Sequence, residues 1–394
     1  MIDLNVLPVG KQFENLQKLL ISSSCVAVKA PTGSGKSIGL PLMIMKKGLV
    51  GGQILVVQPR RIAAKLLARS VSKINGTQIG EEIGYQVRFE NKSNPHTKIV
   101  YVTDGILLQK ILHDSMLSRI GCVIFDEFHE RSIQMDTSLA LVHRLISIGR
   151  PSLKVVVTSA TLDLKKIENY LPNCRSIELN SRIHPVEIVH RHTSGNEVPQ
   201  IIDELSKQVD ERDGDILIFM DGAAEIGKIV REIKKKPGAK GILVFPFHGE
   251  MPIDEQEKVL FDTEKRKIIV STNLAETSIT IEGIKIVIDT GKVKKYRFDY
   301  RRGVNVLLSD QISKSSAEQR AGRAGRTTSG ICVRLWSKSF HDRMLEFEIP
   351  EILRIDLSEV LLNLKAVGLR LMDLQWIDLP TESSIQNAEN CLFN

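Results

Sequence analysis

The feature that most constrains the fold is the segment Ala30–Ser37, which reads Ala-Pro-Thr-Gly-Ser-Gly-Lys-Ser. It follows the apolar run Cys25–Val28 and precedes Ile38–Met45, a stretch that can continue as a helix. A strand, a glycine-rich turn and a helix start form a cradle in which backbone N–H groups face a phosphate. An ordinary Gly/Ser loop is the alternative, but Gly-Lys-Ser after a strand is a specific signal even though Ala30 replaces the usual first Gly. The sequence therefore predicts a phosphate-binding loop here.

The loop also supplies side chains for a nucleotide and its metal ion. Lys36 can reach the outer phosphates, and the Ser37 hydroxyl can bind Mg²⁺. The other loop residues predicted to contact the nucleotide are Thr32, Gly33, Ser34 and Gly35.

Short apolar runs alternate with helical patterns along most of the chain, which indicates βαβ units and parallel sheets covered by helices. The first series of strands is predicted at Cys25–Val28, Gln53–Val57, Ile99–Val102, Cys122–Phe125 and Leu153–Thr158. After a connector at Arg182–Val186, where Pro185 breaks regular structure, a second series is predicted at Asp215–Met220, Gly241–Pro246, Lys267–Ser271, Ile284–Asp289 and Ile331–Trp336. Between the last two, Lys292–Asp299 and Val304–Ile312 are predicted to form a hairpin with a Gly turn. The fold class is thus α/β, with two tandem units of similar size.

An acidic pair, Asp126 and Glu127, directly follows the apolar strand Cys122–Phe125. Open α/β sheets place their ligands at the carboxyl ends of the strands. We expect Asp126 to hold Mg²⁺ together with Ser37, and Glu127 to polarise an attacking water molecule. A solvated acidic turn is the alternative for this pair taken alone.

Three polar residues near the end of the second unit, Gln319, Arg323 and Arg326, are spaced to share one helix face. Two arginines can neutralise charge on a transferring phosphoryl group, and a glutamine can orient water. An ordinary basic helix is the alternative. With the phosphate loop in the first unit, these residues indicate that ATP binds in a cleft between the units and that hydrolysis opens and closes it.

Seven motifs occur in order along the chain: Ala30–Ser37, Gln58–Arg61, Thr103–Gly105, Asp126–Arg131, Ser159–Thr161, Ser271–Thr277 and Gln319–Arg326. They resemble those of the DEAH-box helicases of superfamily two. Phe128 and the segments Ile279–Gly283 and Cys332–Trp336 look most like the bacterial HrpB-type branch of that family.

The resemblance implies two RecA-like domains that step along single-stranded RNA or DNA while hydrolysing ATP. It implies that the nucleic-acid backbone is held at Arg60, Thr103, Asp104 and Gly105 of the first domain and at Thr272 and Asn273 of the second. Arg69 and Phe261 match family positions that stack on the adenine, although Phe261 could equally be core. The hairpin near residues 292–312 resembles one thought to separate strands.

The expected domains are a RecA-like domain at 1–180, a second at 181–345, and a partial winged-helix segment at 346–394. In relatives further domains complete the nucleic-acid channel. The chain could therefore be a fragment, a truncated product, or a minimal enzyme that relies on an activating protein partner.

Composition adds little beyond these motifs. The net charge is +7 and the pI about 9.0, which is compatible with a polyanionic partner. The five cysteines are scattered without metal-ligand spacing, and no apolar run reaches transmembrane length. We expect no membrane association and a cytoplasmic location, or a nuclear one in a eukaryote.

Three functional readings follow. The first is an ATPase and helicase that acts on single-stranded RNA. The second is the same enzyme acting on single-stranded DNA, and RNA is the favoured substrate of the two. The third is a helicase-like module that binds nucleic acid or regulates a partner with weak or no unwinding. A kinase has no visible acceptor-binding residues.

Overall fold

The computed structural model describes residues 8–31, 33–161, 163–179, 184–191, 197–236, 241–260, 263–276, 279 and 281–393. The chain forms two compact units. The first comprises Met1–Ser181, Tyr296–Val306 and Ile349–Asn394, and the second comprises Arg182–Lys295 and Leu307–Glu348. The three domain ranges expected from the sequence remain predictions.

The first unit is built on an eight-stranded sheet with the strand order β4-β3-β5-β2-β6-β7-β1-β8. Its strands are β1 (Cys25–Lys29), β2 (Gln53–Gln58), β3 (Ile83–Val87), β4 (Glu90–Lys92), β5 (Ile99–Thr103), β6 (Ile120–Phe125), β7 (Lys154–Ser159) and β8 (Cys174–Glu178). Every pairing is parallel except that of the short edge strand β4 with β3. The central strands β1, β2, β5, β6 and β7 are almost entirely buried, as expected for a sheet covered on both faces.

Helices pack on both faces of this sheet and divide its core into two apolar clusters. The helices are α1 (Pro8–Lys11), α2 (Phe13–Ser22), α3 (Lys36–Lys46), α4 (Arg61–Asn75), α5 (Asp104–His113), α6 (Ile133–Ile148) and α7 (Leu164–Tyr170). The buried residues of α2, Phe13, Leu16 and Leu20, lie at helical spacing.

The second unit contains a six-stranded, wholly parallel sheet with the order β11-β12-β10-β13-β16-β9. Its strands are β9 (Val186–His190), β10 (Asp215–Phe219), β11 (Leu243–Phe247), β12 (Lys267–Ser271), β13 (Ile284–Asp289) and β16 (Gly330–Arg334). Its helices are α8 (Glu197–Glu211), α9 (Ala223–Lys235), α10 (Ile253–Leu260), α11 (Lys314–Ala321) and α12 (Lys338–Asp342). Pro246 lies in β11, an edge strand, where a missing N–H is tolerated.

The connector expected at Arg182–Val186 is corrected at its end, because Val186 is the first residue of β9 and pairs with Gly330. Pro185 lies immediately before this strand, and its carbonyl accepts a hydrogen bond from Gly330 N. Residues 182 and 183 lie outside the described part of the chain.

The predicted hairpin is confirmed. Strands β14 (Lys292–Asp299) and β15 (Val304–Gln311) form a two-stranded sheet of their own, and Gly303 adopts a positive φ of 66° in the turn. The tip of the hairpin, Tyr296–Val306, is counted with the first unit. There Phe298 N donates to Arg354 O at 2.8 Å, and Asp356 N donates to Asn305 Oδ1 at 3.0 Å.

The C-terminal stretch of the first unit contains the helices α13 (Ser358–Ala366) and α14 (Glu382–Phe393). Buried residues of α13, among them Val360 and Leu364, join the apolar cluster that also contains α5 and α6. In the part of the chain that the structure describes, none of the helices has the length and apolar character that a bilayer crossing requires.

Candidate active site

The predicted phosphate loop lies between β1 and α3 in the first unit, as the sequence indicates. Gly33 and Gly35 adopt φ values of 84° and 82°, a left-handed region that glycine enters without steric cost. Gly35 caps the helix, so Lys36 and Ser37 are its first two residues and lie where the helix dipole attracts anions. Thr32 lies outside the described residues.

Lys36 and Glu127 form an ion pair inside the protein. The distance from Lys36 Nζ to Glu127 Oε1 is 3.0 Å, and the two side chains are only 4% and 3% exposed. The structure therefore brings together the amine predicted to bind phosphate and the carboxylate predicted to polarise water.

Asp126, immediately after β6, is fully buried beside this pair. Its carboxylate accepts hydrogen bonds from Gln58 Nε2, at 2.6 Å, and from Thr158 Oγ1. Burial and the neighbouring Glu127 raise the pKa of Asp126, while Lys36 and hydrogen bonds from Ser37 and Thr158 oppose that shift. Ser37 and Asp126, the two predicted Mg²⁺ ligands, are thus in contact.

The residues present fit ATP with Mg²⁺. The hydroxyl of Ser34 is buried in the loop and has no hydrogen-bond partner in the protein, which leaves it available to a nucleotide. A carboxylate and a hydroxyl are hard oxygen ligands, which Mg²⁺ prefers, usually keeping water and phosphate oxygens as further ligands. Across the described residues there is no group of three or more His, Cys, Asp or Glu arranged to hold a metal ion by themselves. A metal held partly by the nucleotide agrees with both observations.

The motif Asp126–Arg131, called the acid box below, forms a tight turn after Asp126. Glu127 and Arg131 have positive φ values of 51° and 45° and flank a one-turn 3₁₀ helix at Phe128–Glu130. Such backbone in non-glycine residues costs about 1–3 kcal/mol and persists only where its surroundings hold it.

Contacts of Arg131 stabilise this turn at its C-terminal end. Its guanidinium binds Asp136 at 2.7 Å and Asp378 at 2.7 Å. Its carbonyl accepts Glu351 N at 3.1 Å, and Ile133 N donates to Glu351 Oε2 at 3.0 Å. The C-terminal stretch of the first unit therefore anchors the end of the acid box.

The predicted phosphoryl-transfer residues of the second unit do not lie on one helix. Gln319 is in α11, which ends at Ala321, so Arg323 and Arg326 lie in the turns that follow. The expected shared helix face is wrong, because Gly322 and Gly325 disfavour helix continuation. The Arg323 guanidinium donates to the carbonyl oxygens of Glu276 and Ile279.

Arg320, for which the sequence predicts no separate role, is fully buried in the second unit. It binds Glu276 Oε2 at 2.8 Å and Asp289 Oδ1 at 2.9 Å. It also lies over the Phe219 ring, 4.7 Å from its centroid. It joins α11 to β13 and to the segment after β12, a structural role.

The predicted nucleic-acid contacts lie at the carboxyl ends of strands. Arg60 follows β2 and caps α4, and Thr103 ends β5 and caps α5. Asp104 accepts hydrogen bonds from Ser132 Oγ at 2.5 Å and from Gly105 N at 2.8 Å. In the second unit Thr272 caps the one-turn helix Asn273–Ala275 after β12.

Of the two predicted adenine contacts, Arg69 lies on the exposed face of α4, close to Tyr85 and Glu90. Phe261 lies outside the described residues.

The segment Thr158–Thr161 follows an apolar strand and is predicted to lie beside this site, but the sequence does not predict three of the contacts made there. Gln58 and Thr158 hold Asp126, and the Tyr101 hydroxyl donates to Ser37 O at 2.7 Å. Their signal was present, since each lies at or near the carboxyl end of a strand beside β6 or β2. Only the strand order shows which strand ends are neighbours.

The fold is that of tandem RecA-like P-loop domains, and comparisons with known proteins agree. Residues 11–170 match the DEAD/DEAH box helicase family, and residues 196–328 match the helicase conserved C-terminal domain. The ATP-dependent RNA helicase HrpA of Borreliella burgdorferi is 41% identical, over 98% of this chain and 48% of its own length. HrpB of Escherichia coli is 34% identical, over 98% of this chain and 48% of its own length. The crystal structure of Escherichia coli HrpB superposes with a TM-score of 0.92 at 33% identity, covering 98% of this chain and 50% of that one.

The chain belongs to the DEAH-box (DExH) helicases of superfamily two. The resemblance to HrpB-type helicases is confirmed, and relatives named HrpA are similar to at least the same degree. The chain spans about half the length of the HrpA of Borreliella burgdorferi and the HrpB of Escherichia coli.

Proposed function

We propose that this protein is a nucleic-acid-stimulated ATPase that translocates on single-stranded RNA and unwinds or remodels duplexes and ribonucleoproteins. The observation that carries the proposal is the buried Lys36–Glu127 ion pair beside Asp126 and Ser37, at the start of a helix that follows a glycine-rich turn. Burying a cation and two carboxylates together is costly for folding alone. Active sites commonly contain such arrangements.

Each group has a role that its chemistry supports. Lys36 and the loop N–H groups bind the phosphates of ATP, and Asp126 with Ser37 would hold Mg²⁺, which neutralises phosphate charge when bound. Glu127 accepts a proton from the attacking water molecule. Gln319, Arg323 and Arg326 of the second unit are proposed to orient that water and to stabilise negative charge in the transition state.

The nucleic-acid contacts are proposed at Arg60, Thr103, Asp104 and Gly105 in the first unit and at Thr272 and Asn273 in the second. A guanidinium, short hydroxyl or amide side chains and backbone N–H groups position a strand through its backbone without reading its bases. RNA is proposed as the track because the HrpA and HrpB relatives are named RNA helicases. An activating protein partner is compatible with this function.

Strand displacement tests the proposal. The substrate is a short labelled duplex with a single-stranded RNA overhang, and the proteins are the unaltered chain and Lys36→Ala. We expect displacement by the unaltered chain with ATP and Mg²⁺, and none by Lys36→Ala. Equal displacement without ATP would refute the motor function. Duplex binding without ATP turnover would instead support the helicase-like binding module.

A further inference from the structure

Arg60, a proposed nucleic-acid contact, is already occupied by a carboxylate of the acid box. Its Nε donates to Glu130 Oε1 at 3.3 Å, and its Nη2 lies 3.1 Å from Glu130 Oε2. This is the bidentate geometry in which a guanidinium also binds a phosphate. The two side chains are 20% and 19% exposed, so solvent weakens the pair only in part. A phosphate and Glu130 cannot both take the same edge of the guanidinium.

Glu130 lies three residues after Glu127 in a single turn. Glu130 N donates to Glu127 O at 3.0 Å, which closes the 3₁₀ turn. Glu127 has a positive φ at the start of this turn, and its carboxylate binds Lys36. A change in the position of Glu130 therefore acts on the backbone that positions Glu127.

The other end of the turn is fixed. Arg131 is held by Asp136 and Asp378, and its carbonyl accepts Glu351 N. Strand β6 fixes the chain before Asp126. The Glu130 side chain binds Arg60 in a part-buried contact, so a competing anion can reach this contact while both ends of the turn stay anchored.

The charges near Arg60 bear on whether a phosphate can replace Glu130 as the partner of its guanidinium. Burial, mainly, raises the pKa of Asp104 to about 6, and the nearby carboxylates of Glu130 and Glu351 contribute to this rise. Two carboxylates on the face proposed to bind nucleic acid repel a polyanion, and Arg60 is the cation that binds one of them. A phosphate that binds Arg60 displaces Glu130 and removes it from the approaching strand.

We propose that Glu130 is a positioning residue that competes with a nucleic-acid phosphate for Arg60, so that binding of the strand releases the Glu127 turn and stimulates ATP hydrolysis. The proposal rests on the proposed function and adds a cause for the stimulation. It gives Glu130 no contact with ATP.

The test is a double-mutant cycle on the full chain with Arg60→Ala, Glu130→Gln and both changes together. Affinity for a labelled single-stranded RNA oligonucleotide is measured by anisotropy at fixed salt, and ATP turnover is measured without nucleic acid. Glu130→Gln should bind the oligonucleotide about three- to tenfold more tightly, as expected when one close charge competitor is removed. Turnover without nucleic acid should rise about threefold, with a correspondingly smaller stimulation by RNA.

In the Arg60→Ala background, Glu130→Gln should give no gain in affinity, because there is no guanidinium left to release. Glu178→Gln is the matched control. Its partner Lys29 lies 3.0 Å away in a more exposed pair, and neither affinity nor turnover should change. Equal affinity gains with and without Arg60, or no gain at all, would overturn the proposal while leaving the proposed function intact. If the unaltered chain binds no single-stranded RNA or DNA, the proposed function fails and this inference fails with it.

Discussion

The Lys36–Glu127 ion pair predicts opposite effects of one substitution on binding and on turnover. Glu127→Gln removes the carboxylate that accepts a proton from water, so turnover should fall. The same change removes the buried partner of Lys36, so the amine becomes available to the phosphates of ATP. Loss of a well-placed general base lowers turnover by about 10²–10⁴-fold.

The gain in affinity can be bounded from the structure. Unit charges 3.0 Å apart attract by about 5.5 kcal/mol at an effective dielectric constant of about 20. Desolvation of two side chains that are almost fully buried offsets most of this attraction. A remainder of about 1.4 kcal/mol corresponds to tenfold tighter binding, which is the most we expect. The nucleotide-free variant should lose about 3 kcal/mol of stability, since Lys36 is left buried without its counter-charge.

The assay combines calorimetric titration of ATP and Mg²⁺ with single-turnover hydrolysis. Glu178→Gln makes the same chemical change in an exposed pair with Lys29 and should alter neither quantity. Weaker ATP binding by Glu127→Gln, or turnover within about twofold of the unaltered chain, would refute this reasoning.

Three further substitutions test the described side-chain environments. Arg320→Ala leaves Asp289 buried without its cation and should cost about 3–5 kcal/mol of stability, measured by chemical unfolding. The control Arg343→Ala, at an exposed arginine, should change stability little. Ser34→Ala removes a buried hydroxyl without a partner. The melting temperature without nucleotide should therefore stay the same or rise, and the increase in melting temperature that ATP causes should become smaller. A lower melting temperature without ATP would contradict this. The pKa of Asp104 is raised to about 6, mainly by burial, so its stabilising contribution is complete below the unfolded pKa of about 3.9 and is lost as pH rises through about 6. Relative to Asp104→Asn, the unaltered chain should therefore lose stability between pH 4 and pH 7 in urea titrations, and a constant difference would argue against it.

Strands and helices with strong periodicity could be predicted from the sequence. The central strands of both sheets are continuous apolar runs, a pattern that marks strands buried on both faces. The phosphate loop could be placed because glycine is needed where Gly33 and Gly35 adopt positive φ. The acidic pair could be placed because it directly follows one of these buried strands.

Features that depend on tertiary contacts could not be predicted. Strand β9 follows Pro185 and lacks a continuous apolar run, so only its pairing with β16 identifies it. The hydrogen bonds from Gln58 and Thr158 to Asp126 depend on strand order, which periodicity does not encode. The burial of Arg320 between Glu276 and Asp289 joins residues distant in sequence, and nothing local distinguishes it from its neighbour Arg323.

The most direct test of the central claim is ATP turnover by the unaltered chain with single-stranded RNA, with single-stranded DNA and with neither, across a salt series. We expect turnover to rise with single-stranded nucleic acid, and the RNA concentration for half-maximal stimulation to increase steeply with salt, because phosphate contacts release counterions. Turnover that is the same with and without nucleic acid at every salt concentration would contradict the account.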